Sequence, residues 1–116
     1  MKIELKGRNV QVTPELHEHV RRRFEKVAKQ VSSLAVLEVE LSEEHTRAAE
    51  HRMRAEATLR LKGVTLRACD CSGDMKHAVH LCEEELSRQV KRHRDKRRHR
   101  REARAASMRS GISPAL

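Results

Sequence analysis

The chain has 116 residues, 26 of them Lys or Arg against 17 Asp or Glu, which gives a formal charge of +9 and a pI near 10.2. That length allows one domain with one core, and so large a basic excess points to polyanions, either nucleic acid or an anionic membrane surface. The sequence has no run of about 18 apolar residues, the length a transmembrane helix needs, and Phe24 is its single Phe, Tyr or Trp.

Residues 2–6 alternate, with Ile3 and Leu5 on one face and Lys2, Glu4 and Lys6 on the other, the pattern of a half-buried strand. This opening lacks the apolar stretch of a signal peptide, so a cytoplasmic location is expected. Gly7-Arg8-Asn9 is expected to interrupt the strand, with Val10-Gln11-Val12 as a brief continuation. Thr13-Pro14-Glu15 reads as a helix start: an N-cap threonine, proline at the first helical position and an acid near the positive end of the dipole. Leu16, Val20, Phe24, Val27 and Val31 then follow a three/four spacing, which predicts a helix over about 14–31. Arg21, Arg22, Arg23, Lys26 and Lys29 occupy its other faces.

Alternation returns at Leu37, Val39 and Leu41, then after a polar loop at Met53, Ala55, Ala57, Leu59 and Leu61. Lys62-Gly63 is a turn of the kind that joins antiparallel strands, and Val64, Leu66 and Ala68 mark a fourth strand. Ser72-Gly73-Asp74 suits a second N-cap, followed by a helix that buries Met75, Ala78, Val79, Cys82, Leu86 and Val90. The order β-α-β-β-β-α predicts an α+β two-layer sandwich, a four-stranded sheet with both helices on one face. The other face is expected to be wet, with Glu38, Glu40 and Glu56 among Arg52, Arg54, Arg60 and Arg67, a largely self-neutralised surface.

Charge is unevenly spread. Residues 1–86 hold 15 basic and 15 acidic residues, whereas residues 87–116 hold 11 and 2. The excess therefore lies in the C-terminal block, where Arg94, Arg97, Arg98 and Arg101 repel one another at helical spacing until a polyanion relieves them. For helix 1 alone, a solvated basic face is the more economical reading; for the C-terminal block, a polyanion partner is. With Phe24 in the core stripe, no Phe, Tyr or Trp is left for base stacking. Recognition should then rest on phosphates, 2′-hydroxyls and RNA shape, with arginine planes as the remaining stacking surface. Beyond about Ala103 the small residues, Gly111 and Pro114 are expected to form a disordered end.

Other constellations carry less. Cys69-x-Cys71 with His77-x-x-His80 offers four zinc ligand types, but alternation and helical phase point them in different directions, and no metal is expected. His17-Glu18-His19 lacks the spacing that puts two ligands on one helical face. The scattered glycines make no phosphate loop, and no serine sits in a nucleophile elbow. No catalytic activity, cofactor or small-molecule substrate is expected, and three cysteines in a chain without an export signal should be reduced.

Two blocks of sequence carry a family resemblance. Gly7-Arg8-Asn9-Val10-Gln11-Val12-Thr13-Pro14-Glu15-Leu16, with Asp74-Met75, Ala78-Val79 and Leu86-Ser87-Arg88-Gln89-Val90-Lys91-Arg92, resembles the ribosome hibernation promoting factor family. That family includes the ribosome-associated inhibitor protein Y and bears an older sigma-54 modulation label. The resemblance runs over roughly residues 1–98. It implies binding to the small ribosomal subunit in the cleft between head and body, overlapping the messenger path and transfer-RNA sites near the decoding centre. It also implies that translation is blocked in stationary phase or stress. The basic helices would then face ribosomal RNA, which nominates Arg22, Lys26 and Lys29 in helix 1 and Arg88, Lys91, Arg92, Arg94 and Lys96 in helix 2. Arg97 and Arg98 of the C-terminal block complete the RNA-binding set.

The family often has an aromatic after the Asp-Met pair, where this chain has Lys76-His77. Its long form adds a dimerisation domain. This chain is expected to be a short form, a ribosome-binding domain over 1–98 with a basic, disordered tail over 99–116, without self-association or a membrane partner. The competing readings are a protein-binding transcription regulator, as the sigma-factor label suggests, and a general double-stranded-RNA binder.

Overall fold

The structure, a computed structural model, describes residues 1–109. Its elements are β1 (Lys2–Arg8), α1 (Pro14–Ala28), β2 (Val36–Glu43), a 3₁₀ turn at Ala49–His51, β3 (Met53–Leu61), β4 (Val64–Ser72) and α2 (Met75–Arg109). The sheet order is β1-β2-β3-β4. β1 and β2 run parallel, with Ile3 opposite Leu37, which is why a helix must join them. β2 with β3 and β3 with β4 are antiparallel. This is the expected α+β sandwich.

The apolar halves of the alternating strands and the helix stripes meet in one cluster. Leu37, Val39 and Leu41 of β2 and Ala55, Ala57 and Leu59 of β3 close against Val20, Phe24 and Val27 of α1 and Ala78, Val79, Cys82 and Leu86 of α2. Small residues at Ala55, Ala57 and Ala78 leave room in that layer for Phe24 and the leucines. Cys82 is core: burial pushes its thiol up to about 12, and its Sγ donates to the Ala68 carbonyl at 3.5 Å.

The caps follow the sequence. Thr13 Oγ1 accepts from the Leu16 amide at 3.2 Å, and Asp74 Oδ2 accepts from the His77 amide at 3.2 Å. Gly63 supplies the positive φ of 79° that the β3–β4 turn requires.

Three boundaries differ from expectation. β1 continues through Gly7 to Arg8, and Val10-Gln11-Val12 adds nothing to the sheet. Asn9, at φ 57°, turns the chain back over the strand. A Cβ at Gly7 would lie 2.6 Å from the Val10 carbonyl oxygen and 2.8 Å from a Val12 methyl. That glycine therefore marks a close backbone approach, not a break. α1 stops at Ala28 rather than near 31, because the last turn tightens, the Gln30 amide donating to the Val27 carbonyl at 3.0 Å. Ser32 then organises the loop, its Oγ accepting from the Leu34 amide and its carbonyl from the Ala35 amide.

The largest difference is at the C-terminal end. α2 is helical through Arg109, although residues 99–116 were expected as a disordered tail. The segment Glu102-Ala103-Arg104-Ala105-Ala106 has no apolar stripe, yet it is made of the strongest helix formers and meets no glycine before Gly111. Residues 110–116 of that expected tail lie outside the described residues.

Candidate nucleic-acid interface

α1 and α2 lie side by side on the sheet, so each buries one stripe and presents the opposite one. Phe24 and Val27 face inward, which puts Arg22, Lys26 and Lys29, at i, i+4 and i+7, together on the outward face of α1. All three are exposed. α2 has 35 residues, about 52 Å at helical rise. Val90 is its last buried residue among those described. Beyond it, cations occupy every side of the helix.

The nominated residues of α2 fall into separate groups. Arg88 and Arg92 gather round one carboxylate, Glu85, at 2.7 and 3.8 Å. The hydrogen bond from Arg88, then one from Gln89, holds the Glu85 carboxyl below the usual range. Lys91 and Arg98, two turns apart, share the outward face, and Arg98 pairs with Asp95 at 3.3 Å. Arg94 and Arg97 line a cleft at the end of the sheet, together with Arg101. Lys96 is exposed. On α1, Glu18 draws Arg21 and Arg22, each at 3.2 Å, and the Arg21 hydrogen bond lowers its pKa.

Two kinds of cation result. Arg22, Arg88, Arg92 and Arg98 have an internal carboxylate partner. Lys26, Lys29, Lys91, Arg94, Lys96 and Arg97 have no ion-pair partner among the described residues. The second group keeps its full charge for an external anion.

The opposite sheet face contrasts with this. Arg60 of β3 pairs across the ladder with Glu38 of β2, and Arg54 pairs along β3 with Glu56, so this face is in part self-neutralised. Glu4 faces Glu38 and Glu40 faces Glu56 across the ladder, and a shallow depression there is lined by these four carboxylates with Lys6, which lies opposite Glu40, while Lys2 pairs with Glu4. A face whose cations are held by its own carboxylates offers little to a phosphate.

The potential metal ligands are otherwise occupied. Cys69 is exposed on this same face and accepts from Arg54 Nε at 3.1 Å. His77 Nδ1 lies 2.8 Å from Ser72 Oγ, and His80 contacts Glu84 and Arg23. Among the described residues no group of three or more His, Cys, Asp or Glu is placed to hold a metal ion. No described helix is long and apolar enough to cross a membrane.

Sequence reasoning missed Lys62 and Arg60 as neighbours of the α2 arginines. Lys62 reads only as a turn residue, and Arg60 only as an outward strand residue. The strands had to be assembled before either reached the cleft.

The molecule is thus a two-layer α+β body, charge-balanced over residues 1–86, that carries a strongly cationic helix. The chain belongs to the family described as Sigma 54 modulation protein / S30EA ribosomal protein, whose model matches residues 3–98. It is similar to the ribosome hibernation promoting factor of Acinetobacter guillouiae, 30% identical over 99 residues that cover 81% of this chain and 88% of that protein. A ribosome hibernation promotion factor of a Picosynechococcus species is 27% identical over 97 residues, covering 83% of this chain but 50% of the relative. Against that longer relative, this chain accounts for about half the length. Among solved structures, the N-terminal domain of Thermus thermophilus protein Y superposes with a TM-score of 0.69 at 26% identity, covering 79% of this chain and 98% of that one.

Proposed function

We propose that the chain is a ribosome hibernation factor that binds ribosomal RNA of the small subunit near the decoding centre. There it blocks messenger and transfer-RNA binding in stress or stationary phase. The observation that carries this reading is the set of unpaired cations Lys91, Arg94, Lys96 and Arg97 on a helix that leaves a charge-balanced body. The names of the relatives supply the ribosome as the polyanion, and a cytoplasmic location goes with that partner. Arg22, Lys26 and Lys29 add a second cationic strip on α1. Arg88, Arg92 and Arg98 join once phosphates displace their internal carboxylates. Residues 1–98 form the ribosome-binding unit. The role is occlusion, so it needs no catalytic group.

Sedimentation of the tagged protein with stationary-phase ribosomes through gradients at low and high salt tests the reading. Co-migration with small subunits or whole ribosomes at low salt, lost at high salt, is the expected result. Neutralising about six phosphates predicts a roughly thousandfold fall in affinity between about 50 and 200 mM salt. Failure to co-migrate at low salt, or a salt slope near zero, counts against it and in favour of a protein-binding regulator.

A further inference from the structure

The end of the sheet holds a cleft of about 570 Å³ between the α1–β2 loop, the β3–β4 turn and α2, within the range of small-ligand sites. Its floor is apolar, Val31, Ala35, Leu61 and Val90, with Leu34 at its edge. Its rim is cationic: Arg94, Arg97 and Arg101 on α2, with Arg60 and Lys62 opposite. No Asp or Glu lines it. Arg60 is held by Glu38, but Lys62, Arg94, Arg97 and Arg101 have no ion-pair partner among the described residues. Leu34 is 88% exposed, so its side chain is free to meet a ligand at the mouth of the cleft.

We propose that this cleft seats one unpaired nucleotide of an RNA, its base on the apolar floor and its flanking phosphates on Arg94, Arg97, Arg101 and Lys62. The inference rests on the RNA-binding reading above and adds a base-contacting site to it. Arg94, Arg97 and Arg101 stand at i, i+3 and i+7, a linear array with intervals of about 4.5 and 6 Å, suited to successive phosphates of one strand. With its one Phe, Tyr or Trp buried, the chain is left with aliphatic surface, guanidinium planes and imidazole rings to contact a base, and the cleft brings all three together, His93 included. An acidic peptide would satisfy the rim, but the floor is a single compact patch rather than the row of pockets that a strand or helix fills. A duplex has no free base to offer it.

Fluorescence anisotropy with the full chain and three labelled hairpins tests this: one with a single bulged uridine, the same with that site abasic, and a fully paired version. The bulged hairpin should bind roughly fivefold or more tighter than the abasic one, the gain expected from seating one base. Leu34→Asn, a neutral change at an exposed site, should erase that preference and leave affinity for the paired hairpin unchanged. Lys62→Glu should weaken the bulged hairpin more than the paired one. Equal binding of bulged and abasic hairpins, with salt-dependent binding of the paired one intact, overturns the cleft assignment and leaves the RNA reading standing. No binding to any hairpin at low salt overturns both. Competition by free uridine triphosphate as effective as by the bulged hairpin would make the cleft a small-molecule site instead. An acidic, leucine-containing peptide that displaces only the bulged hairpin would make it a protein site.

Discussion

The side-chain amide of Gln89 donates a 2.6 Å hydrogen bond to the backbone carbonyl of Arg67. Arg67 lies on β4, an edge strand, whose outward carbonyls have no ladder partner. Gln89 also precedes Val90, the last buried residue of α2 among those described. The bond thus sits where the helix changes from a core element to a projecting cationic arm.

Stability should divide at that point. Leu86→Ala, on the core side, is expected to cost about 2–5 kcal/mol. Gln89→Ala should cost about 0.5–1.5 kcal/mol. Lys96→Ala, beyond the bond, should leave urea unfolding within about 0.5 kcal/mol of wild type. Equal losses at all three sites would mean the arm is part of the cooperative unit.

Glu85 restrains Arg88 and Arg92, so removing its charge should strengthen RNA binding. Glu85→Gln is expected to tighten affinity at low salt, whereas Lys91→Glu with Lys96→Glu should weaken it roughly tenfold or more. Each lost phosphate contact should also lower the salt slope by about 0.9. Titrations of small-subunit ribosomal RNA at several salt concentrations read both quantities.

Cys82 gives the fold an alkaline limit. Burial pushes its thiol up to about 12 in the folded chain, above the ordinary value of 9.0. The unfolded chain ionises first, so the stabilisation is complete below about pH 9 and declines as pH rises towards 12. Cys82→Ala should remove that component of the decline, whatever it costs at neutral pH. In the native protein a thiol reagent should modify Cys69 and Cys71 and reach Cys82 only on unfolding, since Cys69 is exposed, Cys71 partly so and Cys82 buried.

The outer part of α2 should respond to ions. Arg94 with Arg98, Arg97 with Arg101 and Arg100 with Arg104 are like-charge pairs at i,i+4, which weaken a helix and are screened by salt. Far-UV circular dichroism should show helicity rising with salt or added polyphosphate. Truncation after His93 should abolish that rise without lowering the melting temperature of the body. A rise that survives truncation would place the salt-sensitive helix elsewhere.

Where burial decides structure, the chain was readable. Ile3 and Leu5, Leu37 to Leu41 and Ala55 to Leu59 alternate because one sheet face is dry, and the α1 stripe repeats because one helix face is dry. Thr13 and Asp74 were legible as caps because their side chains bond amides three residues on. The failures came where another force dominates. Gly7 read as a strand break because its role is to admit the Val10 carbonyl. Residues 99–109 read as disordered because helix propensity there acts without an apolar stripe. The basic residues of the interface were visible as composition, but their sorting into paired and unpaired cations depends on which carboxylate lies a turn away. The cleft joining Lys62 to Arg94 and Arg97 depends on tertiary closure, which no local pattern encodes.

Chemical footprinting of small-subunit ribosomal RNA, with and without the protein at low salt, tests the central claim most directly. Protection of nucleotides around the decoding centre is expected, and Lys91→Glu with Lys96→Glu should reduce it at sub-saturating protein. Protection confined to other regions of the subunit, or an unchanged pattern at saturating protein, would contradict that claim.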